Sequence, residues 1–67
     1  MITSVALVPA LRALRLERAL SQDDLARRAG VDRKTVMRGE QGLDIRLSSV
    51  RRLAHALRVS PQRLQSK

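Results

Sequence analysis

The chain predicts an all-α fold, a compact bundle of five short helices, on three observations. Its apolar residues recur at helical spacing. Caps, prolines and glycines punctuate it at the ends of five segments. Neither strand-like alternation nor an internal repeat interrupts that pattern. With 67 residues there is room for one small domain and no second core. The expected division is an N-terminal extension over residues 1–8 and the domain over 9–65.

Each helix has its own signals. Pro9 suits the first turn of a helix, where a missing N–H costs nothing. Behind it Leu11 and Leu14 share a face, with Leu7 or Val8 ahead and Leu20 closing the segment. Ser21 reads as the N-cap of a second helix. Asp24 completes a capping box, and Asp23 and Asp24 suit the positive end of the helix dipole. Leu25, Ala26 and Ala29 form its buried stripe, and Gly30 stands where a left-handed C-cap belongs. Asp32 is the N-cap candidate of a third helix, from Arg33 to Arg38 or Glu40, with Gly42 ending the unit. Leu47, Val50, Leu53, Ala54 and Leu57 mark a fourth. Ser60-Pro61 is a cap followed by proline at the first helical position, opening a short fifth helix that carries Leu64.

Composition narrows the function. The net charge is +8, from twelve arginines and two lysines against six acids. On so small a domain this points to nucleic acid or an anionic surface as partner. There is no Phe, Tyr or Trp, so the chain cannot build the stacking platforms of RNA-recognition sheets and single-strand binders. Duplex DNA, read through hydrogen bonds and phosphate contacts, needs none. Cysteine is absent, so there are no disulfides, and His55 is the only histidine. A metal site within one chain is therefore not expected, and a reducing cytoplasm fits. The apolar run from Ile2 to Val8 is too short to span a bilayer and has no basic residue ahead of it to make a signal peptide.

The stretch GVDRKTVMRGEQG, residues 30 to 42, is basic and barely amphipathic. Two short helices joined by Gly30-Val31-Asp32 have the grammar of a helix-turn-helix. Its second helix must offer an outer face to a major groove about 12 Å wide and needs only one or two apolar anchors. Val31 and Val36 are those anchors. Arg33 and Lys34 lie at the N-terminal end of that helix, and Arg38, about one turn on, is expected to share their outer face.

LRALR at 11 to 15, LSQDDLARRAGV at 20 to 31, TVMRGEQG at 35 to 42 and LSSVRRLAHALRVSPQRL at 47 to 64 occur in order. On these residues the chain resembles the Cro/lambda-repressor (XRE) family of helix-turn-helix DNA-binding domains, over residues 11 to 64. The resemblance implies a lambda-repressor-like bundle and a set of roles. Gln22 matches a glutamine that binds phosphate and braces the recognition helix. Arg33, Lys34, Met37 and Arg38 match the positions that read base edges. Asp32 caps that helix, and Thr35 touches phosphate. Arg15 and Glu40 match an ion pair tying the first helix to the end of the third. Three departures stand out. Gly39 replaces a large apolar residue, a loss of about 2–5 kcal/mol unless another side chain such as Ile45 fills the space. Ala19 replaces a frequent glycine, so either it is strained by about 1–2 kcal/mol in a left-handed conformation or the first helix runs longer. Arg46 stands where a serine cap is usual, so the fourth helix is expected to start loosely.

Asp23 and Asp24 are not a catalytic pair. Adjacent on a helix, they point in different directions, with no base or phosphate-binding glycine loop nearby. No enzyme and no cofactor are expected. The leading reading is a sequence-specific regulator of transcription on double-stranded DNA, of phage-repressor or Cro type. It would be cytoplasmic and act as a homodimer, DNA-assisted if weak, on a pseudo-palindromic operator. Candidate association surfaces are Ile2 to Val8, the fifth helix with Leu64, and the loop from Leu43 to Ile45. The alternative is an antitoxin-like or scaffold module that turns its basic face to an acidic protein. Membrane binding fits less well without Trp or Phe.

Overall fold

In the computed structural model, which describes residues 4–67, seven elements follow one another: β1 (Val5–Ala6), α1 (Leu11–Glu17), α2 (Gln22–Ala29), α3 (Arg33–Glu40), β2 (Ile45–Arg46), α4 (Leu47–Leu57) and α5 (Pro61–Gln65). The five helices enclose one core in which Val8, Leu11, Leu25, Val36, Val50, Leu53, Leu57 and Leu64 are fully buried. Of the association surface offered at Ile2 to Val8, Ile2 and Thr3 lie outside the described residues. None of the helices among the described residues is long and apolar enough to cross a membrane.

The small sheet is the feature that helical periodicity did not predict. β1 and β2 pair antiparallel, with Val5 opposite Arg46 and Ala6 opposite Ile45. Two residues per strand are too few for alternation to register. The pairing also settles how α4 begins. Arg46 occupies its N-cap without a side-chain hydrogen bond, and the Leu47 N–H donates instead to the Ser4 carbonyl at 2.9 Å. One of the orphan donors of the first turn is thus satisfied by backbone, and the start of α4 is fixed rather than loose.

α1 begins two residues later than Pro9 suggests. The Leu11 N–H donates to the Val8 carbonyl at 3.0 Å, so Pro9 sits at the second position of a turn, where its fixed φ also fits. At the other end α1 stops at Glu17 and Ala19 turns left-handed, with φ 55°. The Leu20 N–H then donates back to the Arg15 carbonyl. The strained conformation is therefore the one adopted, at a cost on the order of 1 kcal/mol. Arg58, the C-cap of α4, is left-handed as well, with φ 58°. The Arg18 guanidinium donates to the Leu57 carbonyl from both Nε and Nη2, at 3.0 and 2.8 Å. The C-terminal end of α4, whose last carbonyls lack helical partners, thereby receives a cation that the dipole favours.

α2 is closed at both ends by its own residues. The Ser21 hydroxyl accepts from the Asp24 N–H at 3.0 Å, the Asp24 carboxylate accepts from the Ser21 N–H at 3.3 Å, and Gly30 is left-handed with φ 71°. Hydrogen bonding to the carboxyl by the Ser21 hydroxyl and Arg27, and by the Ser21 N–H, holds Asp24 below its ordinary value.

Gly39 is buried, and α3 runs through it to Glu40. No gap is left for Ile45 alone to fill. A Cβ at this position would lie 2.8 Å from Val8 Cγ2 and 2.9 Å from Leu11 Cδ2, with Ile45 Cδ1 at 3.9 Å. The side chains of Val8 and Leu11 occupy the space that a larger residue would take. Burial also removes three residues from the association surfaces named above. Val8, Ile45 and Leu64 belong to the core, while Val5, Leu7, Leu16 and Leu43 remain exposed.

Two effects oppose each other in Gly39→Ala. Alanine gains up to about 1 kcal/mol of helix propensity, and overpacking typically costs about 1–3 kcal/mol. Because two buried side chains stand in the way, the expected net loss in urea unfolding is about 1–2 kcal/mol. Combined with Val8→Ala, the loss is expected to be smaller than the sum of the two. A Gly39→Ala chain more stable than the parent would show that this contact does not limit the packing.

Candidate nucleic-acid interface

α2 and α3 meet across the three-residue turn Gly30-Val31-Asp32. The turn is held by the left-handed Gly30 and by the Val31 N–H, which donates to the Ala26 carbonyl at 3.0 Å. Val36 is fully buried beneath α3, and Ala26 and Ala29 are buried on α2. These small contacts let the two helices pack closely with few apolar residues on α3. Asp32 occupies the N-cap position of α3 but makes no side-chain cap hydrogen bond. The capping role assigned to its carboxylate is therefore not what the geometry shows. Its backbone carbonyl accepts from the Thr35 N–H at 3.0 Å.

The far end of α3 is fixed by charge. Arg15 donates from Nε to Glu40 Oε2 at 2.6 Å and from Nη2 to Oε1 at 3.0 Å, a bidentate pair with side chains only 10% and 7% exposed. Its Nη1 donates to the Leu20 carbonyl at 2.8 Å. Gln22 Nε2 donates to Glu40 Oε1 at 3.2 Å. One carboxylate thus joins α1, the start of α2 and the end of α3. Burial opposes the ionisation of Glu40. The hydrogen bonds from Arg15 and Gln22, with the charges of Arg15 and Arg12, outweigh it and hold the carboxyl below its ordinary value. The hydrogen bond to Glu40 raises the Arg15 guanidinium in turn, against the cost of its burial.

On the surface of α3, Asp32, Arg33, Lys34 and Arg38 are exposed, and Thr35 and Met37 are half-buried, as is Gln22 on α2. The basic residues do not all share one outer face. At 3.6 residues per turn, Lys34 and Arg38 lie about 40° apart around the axis, whereas Arg33 and Arg38 lie about 140° apart. Their partners mark opposite flanks. Arg33 Nε is 3.6 Å from Asp23 Oδ1 on α2, and Arg38 Nη2 is 3.7 Å from Asp44 Oδ1 beyond the end of α3. Arg33 and Asp23 line a shallow depression with Arg27. Arg38 and Asp44 line a separate cleft of about 580 Å³, together with Thr35, Arg46, Ser49 and Arg52. Lys34 and Arg38 form the outer ridge, and Arg33 stands on the α2 side of it.

Sequence reasoning missed Arg46, Ser49, Arg52 and Asp44 as neighbours of this helix. Spacing offers no signal for them, because the turn after α3 folds them back. Arg52 is exposed, yet its Nη1 lies only 3.2 Å from the point where a Cβ on Gly30 would stand, so it drapes over the turn between the two helices.

A family model described as Helix-turn-helix matches residues 11–64. Among solved structures, the chain is similar to the restriction-modification controller protein C.AhdI from Aeromonas hydrophila. That match has 38% identity and a TM-score of 0.77, covering 84% of this chain and 86% of the other. It is also similar to the hypothetical transcription factor NHTF from Neisseria, with 35% identity and a TM-score of 0.76. There it covers 84% of this chain and spans 66% of the other. No curated protein sequence gives a significant match.

Removing one member of a buried pair strands the other, at a cost of about 3–5 kcal/mol. Glu40→Ala is expected to approach that range in thermal or urea unfolding, while Asp23→Ala, on an exposed pair, is expected to cost less than about 1 kcal/mol. The pH dependence has a defined sign. Since the Glu40 carboxyl is depressed in the folded chain, its contribution is present above the unfolded value of about 4.3 and is lost as the pH falls through the folded value. Glu40→Gln is therefore expected to flatten the loss of stability as the pH falls below about 4.3. Parallel pH curves for variant and parent would overturn this.

Proposed function

The chain belongs to the XRE-type helix-turn-helix family, and from that premise we propose that it is a sequence-specific regulator of transcription that binds double-stranded DNA through α3. The observation that carries the reading is a short helix anchored by a single fully buried Val36 and one ion-paired carboxylate, with Lys34 and Arg38 turned to solvent. A net charge of +8 supplies the long-range attraction. The likeness to a restriction-modification controller protein at 38% identity supports a regulatory role.

In this reading α3 enters the major groove. The planar fork of Arg38 suits the O6 and N7 acceptors of guanine, so a G-containing half-site is expected. Lys34 reaches neighbouring acceptors, Arg33 contacts bases or backbone from the α2 flank, and Met37 offers apolar contact to a thymine methyl. Thr35 and Gln22 hold phosphate. The Gln22 amide nitrogen carries two protons, so one can remain on Glu40 while the other is offered to the backbone of the duplex. One such unit reads few base pairs, which favours two copies on a pseudo-palindromic operator. Among the described residues of the surfaces offered for association, Val5, Leu7 and Leu43 are exposed, and the association is weak and assisted by DNA. The protein acts in the cytoplasm as a binder and not as a catalyst.

Neutralising about six to eight phosphates per bound dimer gives a log–log salt slope of about −0.9 per phosphate. Mobility shift across a salt series measures it, and a flat response would remove DNA as the partner in favour of an acidic protein. Binding-site selection separates the roles. Arg38→Ala is expected to cost about 1–3 kcal/mol and to relax preference at one base pair. Gln22→Ala is expected to weaken binding to all sequences alike. Sedimentation with and without a full operator tests the dimer, and a monomer in both cases would rule it out.

A further inference from the structure

We propose that Asp44 is a specificity-determining residue, a fixed carboxylate beside Arg38 that penalises random phosphate contact more than base contact. This rests on the reading of α3 as the DNA-contacting helix. The placement of Asp44 is built into the backbone. Gly42 is left-handed, with φ 84°, and the chain behind it folds back so that the Leu43 N–H donates to the Arg38 carbonyl at 3.0 Å. Asp44 then lies against the Arg38 side chain twice. Arg38 Nη2 donates to the Asp44 backbone carbonyl at 3.4 Å and stands 3.7 Å from its Oδ1. Both side chains are 54% exposed, so the pair faces the same solvent that a duplex would displace.

The cleft around it is predominantly basic, with Arg38, Arg46 and Arg52 on its walls against Asp44 and, at the turn between α2 and α3, Asp32. Without Asp44, three guanidinium groups beside Ser49 and Thr35 would outnumber Asp32 and attract any stretch of phosphate backbone. Asp44 opposes that attraction and already satisfies part of the Arg38 fork. A phosphate approaching Arg38 must do so beside a like charge. A guanine edge carries only partial negative charge on O6 and N7, so it meets a much weaker repulsion than a phosphate, and it finds the guanidinium held by the Asp44 carbonyl. The carboxylate therefore weakens binding to random duplex more than binding to a site with guanine in register. Asp23 stands 3.6 Å from Arg33 on the other flank, but by that one contact.

The test uses the full chain, a random duplex and the site recovered by selection with the parent. Asp44→Asn removes the charge at nearly constant shape. On random duplex its log–log salt slope is expected to steepen by about 0.9, as for one added phosphate contact, with affinity at low salt raised about three- to tenfold. Affinity for the selected site is expected to rise less, so the ratio of the two falls while the melting temperature stays near the parent's. Asp44→Glu keeps the charge and is expected to keep most of the ratio. An unchanged ratio in Asp44→Asn, or an equal loss in Asp44→Glu, overturns the proposal while leaving DNA binding in place. A parent that binds no duplex overturns both.

Discussion

Arg15 reaches from α1 to the last turn of α3, and the pose of the exposed basic helix follows from where its guanidinium lands. α3 has little else to hold it. Its buried side is Val36 and a glycine, too small an apolar surface to fix the rotation of a two-turn helix by packing. The bidentate geometry of an arginine on a carboxylate restricts orientation as well as distance. Because Glu40 Oε1 also accepts from Gln22, the same contact fixes the first turn of α2. The two helices that must present themselves to one duplex are therefore referenced to one buried charge. Such a pair is not an efficient source of stability compared with apolar packing; its value here lies in defining one arrangement.

Close approach is the second constraint, and it explains why Gly39 is tolerated. A small residue in a small core is normally a cavity. Here Val8 and Leu11 occupy the space, and Val8 is carried there by the chain that leaves β1. The substitution in α3 and the strand ahead of α1 are thus two halves of one packing solution.

Much of this was legible from the residues alone. Ser21 with Asp24, Gly30, and Ser60 with Pro61 are local signals whose meaning depends on neighbours a few positions away, and the helices they bound are where those signals put them. What escaped was set by partners distant in sequence, or by the sense in which a helix or turn points near neighbours. The strand pair needs Ser4 to Ala6 to meet Ile45 to Leu47, and nothing in either dipeptide announces the other. Arg33 and Arg38 looked like neighbours because one helical turn separates residues about four apart, yet a difference of five positions swings them to opposite flanks. Asp44 was invisible as a neighbour of Arg38 because Gly42 reverses the chain between them. The Arg15–Glu40 pair could be anticipated only from the family resemblance, since 25 positions separate its members.

During synthesis, Val8 and Leu11 leave the ribosome well before Gly39, against which both lie. Gly39 and Ile45 follow much later, and the Leu64 carbonyl, which accepts from the Ala10 N–H at 3.1 Å, later still. The contacts that lock the N-terminal segment are therefore non-local, and loop closure must be completed before they contribute. A nascent chain that has already produced α2 and α3 still carries an unsatisfied α1 and exposed apolar side chains, the condition in which partly made chains are open to aggregation and proteolysis. The basic helix becomes a fixed surface only once the segments ahead of α1 and behind α3 have closed on one another.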